Sequence, residues 1–209
     1  MKFSTAASAG LALVGAAMAA PLTTREAKSA AQIIGEIAPS SLSCASTTGE
    51  CRTNEQAAPF LVAAMAQYKL QSSGQIAAVL ALTAFESVGY QYKHNVSPGR
   101  PGQGTSNMQM IDYNVEYANS IPALKDKVAA LGALDSDDKK NQLLALVTAD
   151  EYNFGSGPWF LTTKCSPDVV DGLRSGTDAA FAAYMACVGT PVTDERTAFW
   201  MRAKAAFGL

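Results

Sequence analysis

Hydrophobic and polar positions along this chain recur with helical spacing through most of its length. Phe60, Leu61, Ala64 and Tyr68 share one face of a helix predicted over about 56–70. After Gly74, the residues Ile76, Val79, Leu80 and Thr83 fall at i, i+3, i+4 and i+7 of a second helix. That stretch is apolar nearly all round, the mark of a helix buried on every side. It runs directly into Phe85-Glu86-Ser87. The pattern then breaks. Pro98, Gly99, Pro101, Gly102 and Gly104 crowd the span 89–109, which reads as a loop too long to be a bare connection. Ile121, Leu124, Val128 and Leu131 predict a helix around 122–131. Ser136 is placed to cap the next helix, with Asp137 and Asp138 in its first turn and Leu143, Leu146 and Val147 as its apolar stripe. Ser166-Pro167 has the form of an N-cap followed by proline at the first helical position. Thr177 opens a helix carrying Phe181, Tyr184, Met185 and Val188. Thr193, with Asp194 and Glu195, opens a last one with Trp200, Ala203, Lys204 and Phe207 on one side. No segment alternates convincingly as a strand. The predicted fold class is mainly α: a compact helical domain with one long loop after the helix that ends at Glu86.

The N-terminus has a different character. Lys2 precedes an apolar stretch through Leu11, Leu13 and Val14, and Ala17-Met18-Ala19 has the small-x-small form of a signal-peptidase site. The apolar core is shorter than the roughly 20 residues a membrane span needs. Residues 1–19 therefore read as an export signal, residues 20–43 as a propeptide or flexible lead-in, and residues 44–209 as the folded domain. The expected product is secreted and extracellular, a monomer, free of the membrane once the signal is removed.

Charge narrows the partners. The formal net charge is −2 and the pI is near 5.4, with both signs mixed along the chain. No basic stripe offers itself to a phosphate backbone, which argues against nucleic acid as a partner. The four cysteines, Cys44, Cys51, Cys165 and Cys187, are even in number, which in a secreted chain points to two disulfides. Three pairings are open; locality favours Cys44–Cys51 and Cys165–Cys187. No CxxC occurs and the one histidine, His94, is far in sequence from every cysteine, so no metal site and no cofactor is expected.

Glu86 is the residue best placed for chemistry. It ends an apolar helix, next to Phe85, and no other acid lies between Glu55 and Asp112. Burial and the negative end of the helix dipole both disfavour its ionised form, which suits a general acid near neutral pH. A solvated residue at a helix end fits its position equally well. No serine or cysteine has an evident base beside it, so nucleophilic hydrolysis has little support. Asp112 and Glu116, four residues apart, read as one solvated helix face. Tyr90, Tyr92, Tyr113 and Trp159 are open to either stacking on a ligand or packing, and Trp200 reads as core.

The order of motifs around Glu86 carries a resemblance. Glu86-Ser87 is followed by Ser97-Pro98, then by Asn107-Met108-Gln109-Met110, and later by Glu151-Tyr152-Asn153-Phe154-Gly155. From Gly74 to Gly157 this set resembles the lysozyme-like superfamily, in particular soluble lytic transglycosylases and goose-type lysozymes. The resemblance implies a lysozyme-like α domain acting on β-1,4-linked N-acetylated polysaccharide, foremost peptidoglycan, as a muramidase or lytic transglycosylase. Glu86 would be its acid/base, and Ser97, Gln109, Tyr152 and Asn153 would line the substrate groove, with the Tyr152 hydroxyl near Glu86. The sequence departs from that pattern in the insertion at residues 99–103, in Ser106 and Asn107, and in Glu151. A non-catalytic glycan-binding or effector protein on the same scaffold, and a chitinase- or chitosanase-like hydrolase, are the alternatives.

Overall fold

The computed structural model describes residues 27–44 and 49–209. The proposed export signal lies outside them. Among the described residues the fold is all helix and loop. The order is α1 (Ala30–Ile37), α2 (Asn54–Gln67), α3 (Ser73–Glu86), α4 (Ile111–Ser120), α5 (Lys125–Leu131), α6 (Asp137–Val147), α7 (Asp150–Asn153), α8 (Ser156–Lys164), α9 (Pro167–Gly172), α10 (Asp178–Val188) and α11 (Asp194–Phe207). No helix is long and apolar enough to cross a membrane.

Helix starts follow their caps. Ser72 accepts the Gln75 backbone N–H and Gln75 reaches back to the Ser72 N–H, a reciprocal capping box that sets the start of α3. Thr53 and Gln56 do the same for α2. Ser136, Ser166, Thr177 and Thr193 cap α6, α9, α10 and α11 as the sequence suggests. Alanine, valine and leucine dominate α3, and from Ala77 to Ala84 every residue is buried. It is the central helix of the domain, with α11 packed along it and α1 bridging α11 and α2. Gly74 is required where α3 begins: a Cβ there would collide with the Leu173 carbonyl oxygen.

Three features differ from the sequence-based expectation. Residues 30–42, expected as part of a loose lead-in, form α1 and a short 3-10 turn. Ile34 and Ile37 insert into the core, 2% and 1% exposed. The capping box Ser29–Gln32 marks this start and was hidden by the Ala- and Ser-rich composition around it. Helix α4 was foreshadowed only by the shared face of Asp112 and Glu116, and α8 lay within a span not assigned; α8 opens with Ser-Gly-Pro and is buried from Ser156 to Leu161, so no amphipathic stripe betrays it. The disulfides are Cys44–Cys51 and Cys165–Cys187, with Cα atoms 5.7 and 5.6 Å apart. The first closes a short loop before α2 and the second ties the end of α8 to α10.

Candidate functional site: a polar cleft and an apolar groove

Glu86 is the last residue of α3, and the chain turns sharply after it. Ser87 donates its hydroxyl to the Thr83 carbonyl at 2.6 Å and accepts the Tyr90 N–H at 2.9 Å. The serine of the Glu-Ser pair is thus a helix terminator, fully buried. Tyr90 is buried too. Its hydroxyl sits 3.3 Å from Thr83 Oγ1, and burial pushes its pKa well up despite that hydrogen bond. Val88, Tyr90, Thr105 and Met108 all have positive φ, and for a β-branched residue such as Val88 (φ 54°) that conformation is strained. Two of these, Val88 and Met108, line a cleft of about 380 Å³ together with Glu86, Tyr92, His94, Ser97 and Gln103 among others.

The charge arrangement in the cleft differs from that expected of an isolated acid. The Arg196 guanidinium, from the first turn of α11, donates to Glu86 Oε1 at 2.9 Å and lies 4.5 Å over the Phe85 ring. The Glu86 side chain is 21% exposed and that of Arg196 15%. The carboxylate is therefore one half of a largely shielded ion pair. Beneath it, the buried Tyr184 hydroxyl has no hydrogen-bond partner among the described residues, and burial together with the Glu86 charge raises its pKa.

The residues expected to line a substrate groove separate. Glu86 and Ser97 share the cleft, with Ser97 exposed in a turn before Pro98. Gln109 is buried and bonds inward, donating to Asn114 Oδ1 at 2.8 Å and accepting from Asn107. Asn153 is buried, its carbonyl accepting from both Ser106 and Ser156 at 2.9 Å. These two tie the long loop down. Tyr152 offers its carbonyl to the Tyr117 hydroxyl at 2.7 Å, and the neighbouring Glu151 carboxylate, then burial, raise its own pKa. The partner of Glu86 is Arg196; the expected Tyr152–Glu86 hydrogen bond is not formed. Nor is the long loop bare: Gly104 pairs across it with both His94 and Gln109, and a Cβ at Gly104 would run into the Lys93 carbonyl. Its base is fixed by Asp150, which takes Lys93 Nζ at 2.5 Å and Arg52 Nε at 2.7 Å. Burial alone would raise the Asp150 pKa, but the hydrogen bonds and charges of those two cations outweigh it and hold it below the ordinary aspartate value.

A larger concavity lies along the first half of α3, at Ile76 and Leu80, and was not expected from the sequence. An apolar groove of about 580 Å³, open along one side, is walled by Ile33 and Ile34 of α1, Leu61 and Met65 of α2, and Ile76 and Leu80 of α3. Lys28 is the one charged residue in its lining among the described residues. The signal that could have revealed it is the apolar face of α1, since the expected lead-in contributes one wall.

No protein-family signature matches the chain. No solved structure matches it either. Among curated proteins, a bifunctional dioxygenase (DOX)-epoxy alcohol synthase (EAS) of Fusarium oxysporum (strain Fo5176) is 49% identical to it over 157 residues. The match covers 74% of this chain, and the chain spans 12% of that protein's length. This relative corrects the motif-based resemblance. At 49% identity the chain aligns with a protein named for oxygenation and epoxy-alcohol formation, and the lysozyme-like assignment is withdrawn. With it go the expected muramidase, lytic transglycosylase, chitinase or chitosanase activity and the glycoside-hydrolase class. The polysaccharide partner, peptidoglycan or chitin-like, and the non-catalytic glycan-binding alternative go as well. The geometry has its own reason for the mismatch: of the five residues the motifs brought together, only Glu86 and Ser97 line the cleft, and Glu86 faces an arginine.

Proposed function

We propose that this chain is a helical lipid-binding module that holds a long unsaturated acyl chain, or its oxygenated product, in the apolar groove between α1, α2 and α3. The observation that carries this reading is the groove itself. Its volume of about 580 Å³ lies within the roughly 300–1,000 Å³ of small-molecule sites, and its lining is almost wholly aliphatic. The chemistry in the relative's name supports it. The relative is named for a dioxygenase and an epoxy alcohol synthase, and we take a long unsaturated acyl chain as the substrate class for such a pair. Such a substrate is a flexible hydrocarbon, and a groove of this composition suits it.

The redox step belongs to other residues than these. Dioxygen activation and hydroperoxide cleavage commonly use haem iron held by an axial histidine or a cysteine thiolate. Here all four cysteines are in disulfides, and the single histidine, His94, has its Nδ1 2.6 Å from Glu50. Among the described residues no group of three histidines, cysteines or acids is placed to hold a metal. The residues present do not fit a haem, so no oxidative step is assigned to them. Export remains part of this reading, supported by the Ala17-Met18-Ala19 cleavage pattern and by the two disulfides, which persist in oxidising compartments.

Each methylene buried in the groove contributes about 0.8 kcal/mol, or about fourfold in affinity. Displacement of a fluorescent fatty acid by saturated acids of ten to eighteen carbons should therefore show affinity rising about fourfold per carbon until the groove is filled. Affinity independent of chain length would refute the reading.

A further inference from the structure

We infer that Lys28 is a carboxylate anchor, so that the groove takes free fatty acids in one orientation and discriminates against their esters. This rests on the acyl-binding reading above and names the head group and its partner. A second, smaller concavity of about 280 Å³ adjoins the groove and shares Lys28, Ile33 and Phe207 with it. Among the described residues, Lys28 is the only charged one in the lining of either. Lys28 is therefore shared by two concavities whose remaining walls are mainly apolar or small, with Leu80 among those of one and Ala205 and Gly208 among those of the other. A monoacid with a long tail matches that layout: the hydrocarbon lies in the larger, aliphatic groove and the carboxylate at Lys28.

The present contacts of Lys28 show how the exchange works. Its Nζ holds Glu36 Oε2 at 2.5 Å, and the Ala206 carbonyl is 3.5 Å away. The ammonium already holds a carboxylate oxygen, that of Glu36, a residue outside the lining of both concavities. The Glu36 side chain is 44% exposed and that of Lys28 27%. An exposed ion pair of this kind is weak, because water competes for both charges. Glu36 can turn out into solvent and leave Lys28 to a ligand carboxylate, whose tail adds the hydrophobic burial that Glu36 lacks. Glu36 then acts as a competitor: an intramolecular carboxylate that keeps the anchor occupied until an acyl chain fills the groove. No covalent step is involved. An ester retains the tail but has no charge to offer Lys28, so it gains only the apolar part.

The test is a displacement titration of the full chain with cis-9-octadecenoic acid and its methyl ester, below their aggregation concentrations. Wild type should bind the acid about two- to fivefold more tightly than the ester, the size of one partly exposed ion pair. Lys28→Met should remove that preference by weakening the acid alone, and Lys28→Arg should retain it. Glu36→Gln should tighten the acid severalfold and leave the ester unchanged. Because Lys28→Arg and Glu36→Gln keep or improve binding, a fold defect cannot imitate the pattern. Equal affinity for acid and ester, unaltered by Lys28→Met, would overturn the anchor while acyl binding stands. Binding of neither compound would overturn the anchor together with the groove reading.

Discussion

Ala66→Trp separates the groove from every other feature of the fold. Ala66 lies one helical turn after Val62 on α2; both line the groove and both are exposed. Trp at this position lays an indole along the path of the acyl chain. A tryptophan buries about 150–250 Å². With about half of that area displacing ligand, near 100 Å², the loss at ~25 cal/mol per Å² is about 2.5 kcal/mol, or three methylenes. Affinity for cis-9-octadecenoic acid should fall about 60-fold. Stability should hardly change, because an exposed position away from caps and pairs is usually worth within ~0.5 kcal/mol. Fluorescent fatty-acid displacement measures the first quantity and a circular-dichroism melt the second. A variant that melts like wild type and binds the acid like wild type would refute the assignment of the ligand to this groove. A variant with much lower stability would show instead that Ala66 is packed against protein, contrary to its exposure.

Two further predictions concern what holds the domain around these sites. Asp150→Asn leaves Lys93 shielded and without its carboxylate; discounted for the partial exposure of the cluster, the cost is ~2 kcal/mol, or about 4–8 °C in Tm. Since the Asp150 pKa is depressed on folding, its contribution is complete above about pH 5 and is lost as the pH falls below ~4 towards the folded value. The gap between wild type and variant should close in that window, and a gap that widened on acidification would contradict the ion-pair account. Replacing Cys165 and Cys187 together by alanine opens a loop closed over 22 residues. The loss should be ~3 kcal/mol and about 6–12 °C in Tm, read by calorimetry under non-reducing conditions; an unchanged Tm would mean that the packing of α8 on α10 alone fixes this end of the domain.

How far the fold was legible depends on whether a helix carried its own punctuation. Ser136, Thr177 and Thr193 each precede a periodic apolar stripe and Ser166 precedes a proline, and each caps the expected helix. The apolar run from Ile76 to Ala84 identifies the central helix because only burial on all sides tolerates it. Helix α8 escaped for the same physical reason read backwards. Ser156, Gly157 and Pro158 look like a loop, yet all three are buried, and Gly157 is small because Thr83 of α3 fills the space a Cβ would need. Helix α1 escaped because the composition of the surrounding segment dominated, although two isoleucines three residues apart, Ile34 and Ile37, already implied a buried face.

The candidate site was less legible, and the reason lies in what short motifs encode. Glu86-Ser87, Met108-Gln109 and Tyr152-Asn153 are real features of this fold, but most of them do structural work. Ser87 ends α3, Gln109 locks Asn107 and Asn114, and the Asn153 carbonyl collects Ser106 and Ser156. A tight loop over a buried helix needs such residues whatever the domain binds. The residue that decides the state of Glu86 is Arg196, 110 positions away, and nothing in its local sequence marks it as a partner. The groove has the same property on a larger scale. Its walls come from three helices, each of whose apolar residues reads as ordinary core, and only their failure to close on one another leaves a concavity. Lys28, inside what looked like a lead-in, is polar for no reason visible in the sequence. Once α1 is in place, that lysine lines the groove and pairs with Glu36, which is why the proposed anchor could be found only from the fold.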